Sequence, residues 1–193
     1  MVAPYINCTE EYFIMMKKGL INPVLAAVFA AFSAILSQIA IPTPFGIPFT
    51  LQTFAVALYG FILGPLWATV TVAVYLMLGL VGLPVFSGFG GGIGALLGPT
   101  GGFLWGFLIL ALFCGAGQKS KNFFIKITFS ITGLLICHLC GILLFSYLYK
   151  VTLISSAVTV SLPYILKDIL CILAALAIAP KINRVLKAIF SYK

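Results

Sequence analysis

Asp168 stands out chemically because it is the only acidic residue after Glu11 in a chain of 193 residues. It lies inside a long apolar segment, where a charged carboxylate costs about 2.5–3.5 kcal/mol to insert into a bilayer. Ionised carboxylates accept hydrogen bonds from N–H donors, so the favoured interpretation is an anchor for a polar ligand. The alternative is a structural ion pair with Lys167.

Lys167 directly precedes Asp168, and neighbouring residues in a helix point about 100° apart. If Asp168 faces a chamber, we expect Lys167 to extend its ammonium group to the membrane interface. A contact with the ligand is the alternative role for Lys167.

Polar side chains are few elsewhere in the apolar sequence. The second apolar segment begins with Thr50, Gln52 and Thr53. Gln52 could hydrogen-bond either a ligand or the neighbouring loop, and the sequence leaves both alternatives open. Tyr75, in the third apolar segment, is a comparable polar group.

A helix begins after Gly98-Pro-Thr-Gly-Gly102. The first N–H groups of a helix have no partner within it, so this terminus could bind a carboxylate or carbonyl oxygen. Simple capping with close helix packing is the alternative. Phe45, Phe49, Phe86 and Phe89 lie in the adjoining irregular segments and could close over a ring. The candidate ligand-binding residues are Thr50, Gln52, Tyr75, Phe86, Gly88, Thr100, Gly101, Gly102, Phe103, Tyr164, Lys167 and Asp168.

The motif Cys137-His138-Leu139-Cys140 has the residue types of a metal or redox site. Zinc requires four ligands, and no second pair lies at a suitable spacing, so we expect core packing and predict no metal or cofactor. Catalysis within a membrane would require a Ser/His pair, two aspartates or a metal. One Asp and one His do not supply these convincingly, so we do not predict an enzyme.

The elements that carry these residues must lie in lipid. The chain is 63% hydrophobic and 7% charged, with a mean hydropathy of +1.23, whereas soluble domains carry about 25% charged residues. Residues 19–118 contain no Asp, Glu, Lys or Arg. We predict an all-α integral membrane protein and no removable signal peptide.

Proline, glycine and charge divide the sequence into six predicted membrane helices between an N-terminal segment, 1–22, and a basic amphipathic tail, 180–193. Two Gly/Pro-rich segments, 42–50 and 83–102, cannot be regular helix. Irregular backbone at membrane depth persists where it lines a cavity. The predicted helices are 23–41, 51–63, 66–82, 103–117, 123–149 and 163–179.

Basic residues predict the orientation in the cell membrane. They cluster at 17–18, 119–126 and 181–193, and such clusters face the cytoplasm. Six helices then place both termini in the cytoplasm and both irregular segments outside, over a chamber open to the exterior. The net charge of +8 therefore indicates membrane anchoring, and no nucleic-acid partner is predicted.

Ala26, Ala30 and Ala34 recur every fourth residue in the first predicted helix. A stripe of small residues lets another helix approach closely. Docking of a partner membrane subunit and packing within the bundle are both consistent with this spacing.

These segments together resemble the BioY family, the biotin-specific substrate-binding components of energy-coupling-factor (ECF) transporters. The resemblance implies six helices with extracytoplasmic loops that close over biotin, and a carboxylate, here Asp168, for the ureido N–H groups. It also implies a transmembrane coupling subunit and two cytoplasmic ATPases, docked through the Ala-rich first helix. The segments are the Ala stripe, IPTPFGIPFTLQT (41–53), LVGLPVF (80–86), the glycine run and LGPTGGF (97–103).

The chain departs from the family pattern at Cys171, where the resemblance implies a lysine as the partner of the biotin carboxylate. The terminus at 101–103, Lys167 and Lys150 are the candidates for that contact. The alternative functions are a stand-alone facilitator, or a substrate-binding component for another small vitamin.

Overall fold

The computed structural model describes residues 8–43 and 47–190, and this part of the chain is helical apart from one small β-hairpin, in which Ala40 pairs with Thr50 and Ile41 with Phe49. A 3-10 turn at Ser87–Phe89 lies between α2 and α3. The elements are α1 (Cys8–Gln38), β1 (Ala40–Ile41), β2 (Phe49–Thr50), α2 (Gln52–Leu80), α3 (Ile93–Leu97), α4 (Gly101–Gln118), α5 (Phe123–Tyr149), α6 (Leu153–Val160) and α7 (Leu162–Phe190).

The long helices are apolar on their outer surface as well as inside the bundle. Leu66, Ile154 and Leu166 are examples of large side chains that are mostly exposed, which lipid accommodates and water does not. The chain is thus an all-helical, multi-pass membrane protein. In the described part of the chain, five stretches are long and apolar enough to cross a membrane: Leu20–Gln38, Gln52–Leu80, Gly101–Gln118, Phe123–Tyr149 and Leu162–Leu186.

The helix α2 reverses direction at Gly64. The backbone there has φ 75° and ψ 179°, a conformation that is essentially restricted to glycine. Gln52 Nε2 donates a 2.7 Å hydrogen bond to Tyr75 Oη, 23 positions further along. A continuous helix would separate these residues by about 35 Å, so the two halves of α2 lie antiparallel, with the turn at the predicted position.

The helix α4 packs between α2 and α5 with its backbone almost in contact with theirs. A Cβ atom on Gly102 would lie 2.4 Å from the carbonyl oxygen of Cys140 in α5, and one on Gly115 would lie 2.4 Å from the backbone nitrogen of Pro65 in α2. Only glycine fits at such separations. These glycines set the distance between the helices that carry the site.

Three predicted helix boundaries are wrong. The first helix ends at Gln38 and not at residue 41, because Ala40 and Ile41 form β1. The helix α1 begins at Cys8 and passes through Pro23, although we expected the helix to begin there. The helix α7 passes through Pro180 to Phe190, although we expected it to end at 179. Membrane helices tolerate proline because neighbouring groups satisfy the freed carbonyls.

The connecting segments contain short elements that were not predicted. The helix α6 occupies part of 150–162, and the segment 83–102 contains both the 3-10 turn and α3. Residues 1–7, 44–46 and 191–193 lie outside the described residues, and they include parts of the predicted N-terminal segment, the first irregular segment and the tail.

The alanine stripe of α1 faces the interior. Ala26 is 3% and Ala30 1% exposed, and Ala34 is half-buried against the core. The prediction that Ala26 and Ala30 meet a partner subunit is wrong, because the helical period of 3.6 residues turns them towards the bundle. The exposed face of α1 carries Val24, Ala27, Val28, Ala31 and Ile35.

Candidate ligand-binding chamber

A cavity lies where the hairpin, the start of α2, the 83–102 segment and three further helices meet. The helices α4 and α7 contribute their first turns, and α5 contributes its middle. The walls are largely apolar with a few polar groups, as in small-molecule sites generally. The lining residues are Ile47, Pro48, Thr50, Gln52, Thr53, Phe86, Ser87, Thr100, Phe103, Leu104, Phe107, Leu134, Cys137, His138, Tyr164, Lys167 and Asp168.

Asp168 lies on the chamber wall as predicted and is 6% exposed. Its Oδ1 is 2.5 Å from Lys167 Nζ, and its Oδ2 is 3.2 Å from His138 Nε2. Both oxygens of the carboxylate thus have a nitrogen partner within the protein. This pairing offsets the cost of placing a charge among apolar helices.

Lys167 folds back along α7 instead of extending to the interface. Besides its contact with Asp168, its ammonium donates a 2.9 Å hydrogen bond to the carbonyl oxygen of Thr50. The prediction of an outward-pointing lysine is wrong, because the four-carbon stem lets the ammonium group turn back to a buried carboxylate. Lys167 therefore links α7 to the start of α2.

His138 is the site residue that the sequence reasoning missed. It is 3% exposed, its Nδ1 lies 2.9 Å from Ser161 Oγ, and its ring meets Phe103 edge to face with centroids 5.5 Å apart. We expected this residue to pack in the core. The sequence does contain a feature that could have predicted this contact. His138 is the single histidine and Asp168 is the single acidic residue after Glu11, and both lie in apolar segments, where ionisable groups tend to pair.

Neighbouring cysteines of His138 do not form a metal centre. Cys137 is buried with its thiol directed at the carbonyl oxygen of Phe103. Within the described residues, no group of three or more His, Cys, Asp or Glu side chains is placed to hold a metal ion.

Ser161, His138 and Asp168 form a hydrogen-bonded chain in the order found in hydrolases. In a hydrolase the serine faces the substrate and the aspartate lies behind the histidine. Here Asp168 lines the chamber and Ser161 does not. The geometry therefore presents an acceptor to a ligand and places the hydroxyl behind it.

A second chain of hydrogen bonds between polar groups begins at the chamber wall. Thr50 Oγ1 donates to Gln52 Oε1 (2.8 Å), Gln52 Nε2 donates to Tyr75 Oη, and Tyr75 Oη donates to the carbonyl oxygen of Val85 (2.9 Å). Thr50 and Gln52 line the chamber, whereas Tyr75 lies behind them. Gln52 thus binds Tyr75, which in turn holds the 83–102 segment.

Aromatic rings line the chamber and pack beside it. Phe86 is buried edge to face against Tyr75, with centroids 5.3 Å apart. Phe49 stacks on Tyr164 at 4.4 Å, and the Tyr164 hydroxyl bonds Thr43 Oγ1 and the carbonyl oxygen of Ile47. Phe89, by contrast, is 72% exposed, and Phe45 lies outside the described residues.

The candidate residues predicted in and next to the glycine-rich segment divide between two roles. Thr100 and Phe103 line the chamber, and Gly88 lines a more open hollow of about 880 Å³ beside it. Gly101 and Gly102 do not line the chamber, because they are pressed against the carbonyl oxygens of Leu96 and Cys140. Close packing therefore accounts for both of these glycines.

The remaining candidates for a carboxylate contact differ in position. Among the described lining residues, Lys167 is the one lysine or arginine, and neither Lys150 nor Cys171 lines the chamber. Lys150 follows the last turn of α5 with a left-handed backbone.

A bundle of apolar helices around an enclosed chamber with a buried carboxylate has the features of a membrane protein that binds a small polar solute. The sequence matches the BioY family over residues 12–188. The protein therefore belongs to the BioY family, which confirms the resemblance seen in its motifs.

Two relatives match this chain over nearly all of their own length, and a third matches it over about half of its length. The biotin transporter BioY of Thermotoga maritima is 35% identical over 161 residues, which are 82% of this chain and 94% of that protein. The probable biotin transporter BioY of Pyrococcus horikoshii is 35% identical over 160 residues, with the same two shares. BioY2 of Lactococcus lactis is 44% identical over 96 residues, half of this chain and 52% of the relative.

The fold is also that of a solved protein. The crystal structure of the S-component for biotin from an ECF-type ABC transporter superposes with a TM-score of 0.79 at 26% identity. The match covers 86% of this chain and 93% of that one.

Proposed function

We propose that this chain is the biotin-binding membrane subunit of an ECF-type vitamin importer and that it captures biotin at the extracytoplasmic side. The observation that carries the proposal is the enclosed chamber with Asp168 on its wall, in a chain whose relatives are named biotin transporters. The likeness to the S-component for biotin supports the same function.

The chemistry of the chamber suits biotin. The ureido ring offers two N–H donors, and Asp168 is the ionised acceptor in the wall. Phe86, Phe103 and Tyr164 supply aromatic surface for the fused rings. Burial of an apolar ring between such residues contributes about 25 cal/mol per Å², and hydrogen bonds to the charged oxygen provide specificity.

The proposed topology is six membrane crossings with both termini in the cytoplasm. The reversal at Gly64 supports it, because each half of α2 then makes one crossing. Lys119 and Lys121 between α4 and α5, and Lys181 and Arg184 near the end of α7, then lie on the cytoplasmic side, as basic residues do. The chamber opens towards the opposite side.

The energy for import is proposed to come from partner subunits. The sequence has no Gly-x-x-x-x-Gly-Lys-Ser/Thr phosphate-binding loop, so we assign ATP hydrolysis to two cytoplasmic ATPases and their coupling to a transmembrane subunit. Ala27 and Ala31 are the small residues on the exposed face of α1, and they replace Ala26 and Ala30 as the proposed docking positions.

The test is direct binding by the purified chain in detergent or nanodiscs. Calorimetric titration with biotin, thiamine and riboflavin should give saturable binding for biotin alone. Equal binding of all three, or binding of another vitamin in preference to biotin, would contradict the proposal.

A further inference from the structure

Each oxygen of the Asp168 carboxylate lies close to a nitrogen of the protein before any ligand enters. Its Oδ1 is 2.5 Å from the Lys167 ammonium group without hydrogen-bond geometry and has essentially no accessible surface, and its Oδ2 is 3.2 Å from His138 Nε2. Ligand N–H donors can reach Oδ1 only if the ammonium group leaves it. If two ligand N–H donors each bind one oxygen of Asp168, which rests on the proposed function, a rearrangement at Asp168 is required.

Of the two partners, Lys167 is the one free to move. His138 is held on both ring nitrogens and against Phe103. The side chain of Lys167 is 26% exposed, and it has one further bond, to the carbonyl oxygen of Thr50. A lysine stem also has several rotatable bonds.

Charge limits where the ammonium group can go. Among the described lining residues, Asp168 and Lys167 form one anion and one cation that neutralise each other. Separating them inside apolar walls leaves two uncompensated charges, which is strongly unfavourable. A ligand removes this penalty if it carries N–H donors for the carboxylate and an anion for the ammonium group.

We infer that binding is an exchange of ion pairs, in which Lys167 leaves Asp168 and pairs with the carboxylate of the ligand. The chamber then selects solutes that carry an N–H pair and a carboxylate in one molecule. The exchange also supplies a cation for the ligand where Cys171 provides none.

The test compares biotin with biotinamide, in which the carboxylate is replaced by a neutral amide. For the unmodified chain, titration should give an affinity for biotin about 10- to 100-fold higher than for biotinamide, the scale of one hydrogen bond to a charged group. Lys167→Met should abolish this preference, because Asp168 is then free and no cation remains for the carboxylate.

Two further variants complete the design. Lys167→Arg should keep the preference for biotin, because it keeps the charge. Lys150→Met removes the same charge from a position that does not line the chamber, and it should change neither affinity. Both variants should fold, and they report on the exchange even if Lys167→Met is unstable.

Two results would overturn the exchange while leaving biotin binding intact. One is equal affinity of the unmodified chain for the two ligands. The other is an undiminished preference for biotin in Lys167→Met, including the case in which both affinities fall by the same factor. If the preference for biotin disappears in Lys150→Met, the contact with the ligand carboxylate lies at Lys150 and not at Lys167. Failure of the unmodified chain to bind biotin would instead contradict the proposed function.

Discussion

At the scale of single residues, the buried charge of Asp168 is tolerated because the bundle surrounds it with donors. Lys167 and His138 come from different positions along the chain, and each contacts one oxygen. Loss of such a group costs more than loss of a neutral hydrogen bond, since partners are left unpaired.

Asp168→Asn should weaken biotin binding by about 1–3 kcal/mol, the scale for losing a charged hydrogen-bond partner. Calorimetric titration measures the affinity, and the melting temperature of the ligand-free chain shows separately whether the fold is retained. An unchanged affinity in a folded variant would remove Asp168 from the site.

Two buried tyrosines form a matched pair for a stability test. The Tyr59 hydroxyl has no hydrogen-bond partner among the residues that the structure describes, whereas that of Tyr75 joins Gln52 to Val85. Tyr59→Phe should leave the free energy of unfolding unchanged or raise it. Tyr75→Phe should lower it by about 1–3 kcal/mol, because Val85 and Gln52 lose a partner.

Thermal unfolding of the two tyrosine variants, followed by circular dichroism in the same detergent, distinguishes them. Similar melting temperatures for both variants would mean that the hydrogen bonds from Gln52 through Tyr75 to Val85 contribute no stability.

Some site residues can be recognised from the neighbouring sequence alone, whereas others depend on partners that are distant along the chain. Asp168 and Gln52 are recognisable because a polar group is rare in apolar sequence, and both line the chamber. The role of His138 depends on a partner 30 positions away. The direction in which the Lys167 side chain points depends on its rotamer, which no sequence pattern specifies.

At the scale of helices, the reversal of α2 depends on the backbone of one residue. Gly64 has a positive φ, and a Cβ atom there would meet nothing within 4 Å. Substitution would therefore cost backbone strain without steric overlap.

Gly64→Ala should destabilise the fold by about 1–3 kcal/mol, the range for a residue held in a sparsely populated backbone region. Gly94→Ala is the control, since Gly94 lies in α3 with equally open space and no positive φ. It should be neutral or slightly stabilising. Equal melting temperatures for the two variants would show that Gly64 is not strained.

Helix boundaries were predicted less well than helix positions. Gly64-Pro65 marks a reversal, yet Pro23 and Pro180 lie within α1 and α7. The difference lies in the preceding residue, because Gly64 adopts a conformation that breaks the hydrogen-bond ladder. A proline alone removes one N–H and bends a helix without ending it.

At the scale of the whole molecule, the two sides of α1 differ in whether the bundle covers them. Ala30 faces the bundle and Ala31 faces outwards. The sequence could not distinguish them, because residues 26–31 contain alanine on both faces and only the tertiary packing decides which face is covered.

Ala31→Leu should leave the melting temperature and biotin binding of the isolated chain unchanged but disrupt its assembly with the coupling subunit, since a larger side chain prevents close helix approach. Ala30→Leu should instead destabilise the chain by about 1–3 kcal/mol through overpacking. Co-purification with the partner subunits and thermal unfolding provide the two measurements. Normal assembly of Ala31→Leu would exclude this face as the docking surface.

The backbone contacts of α4 have a mechanical consequence. With Gly102 against Cys140 and Gly115 against Pro65, α4 cannot slide or rotate past either neighbour without a collision of main-chain atoms. The helices α2, α4 and α5 are therefore expected to behave as one stiff unit that keeps the spacing of the chamber walls.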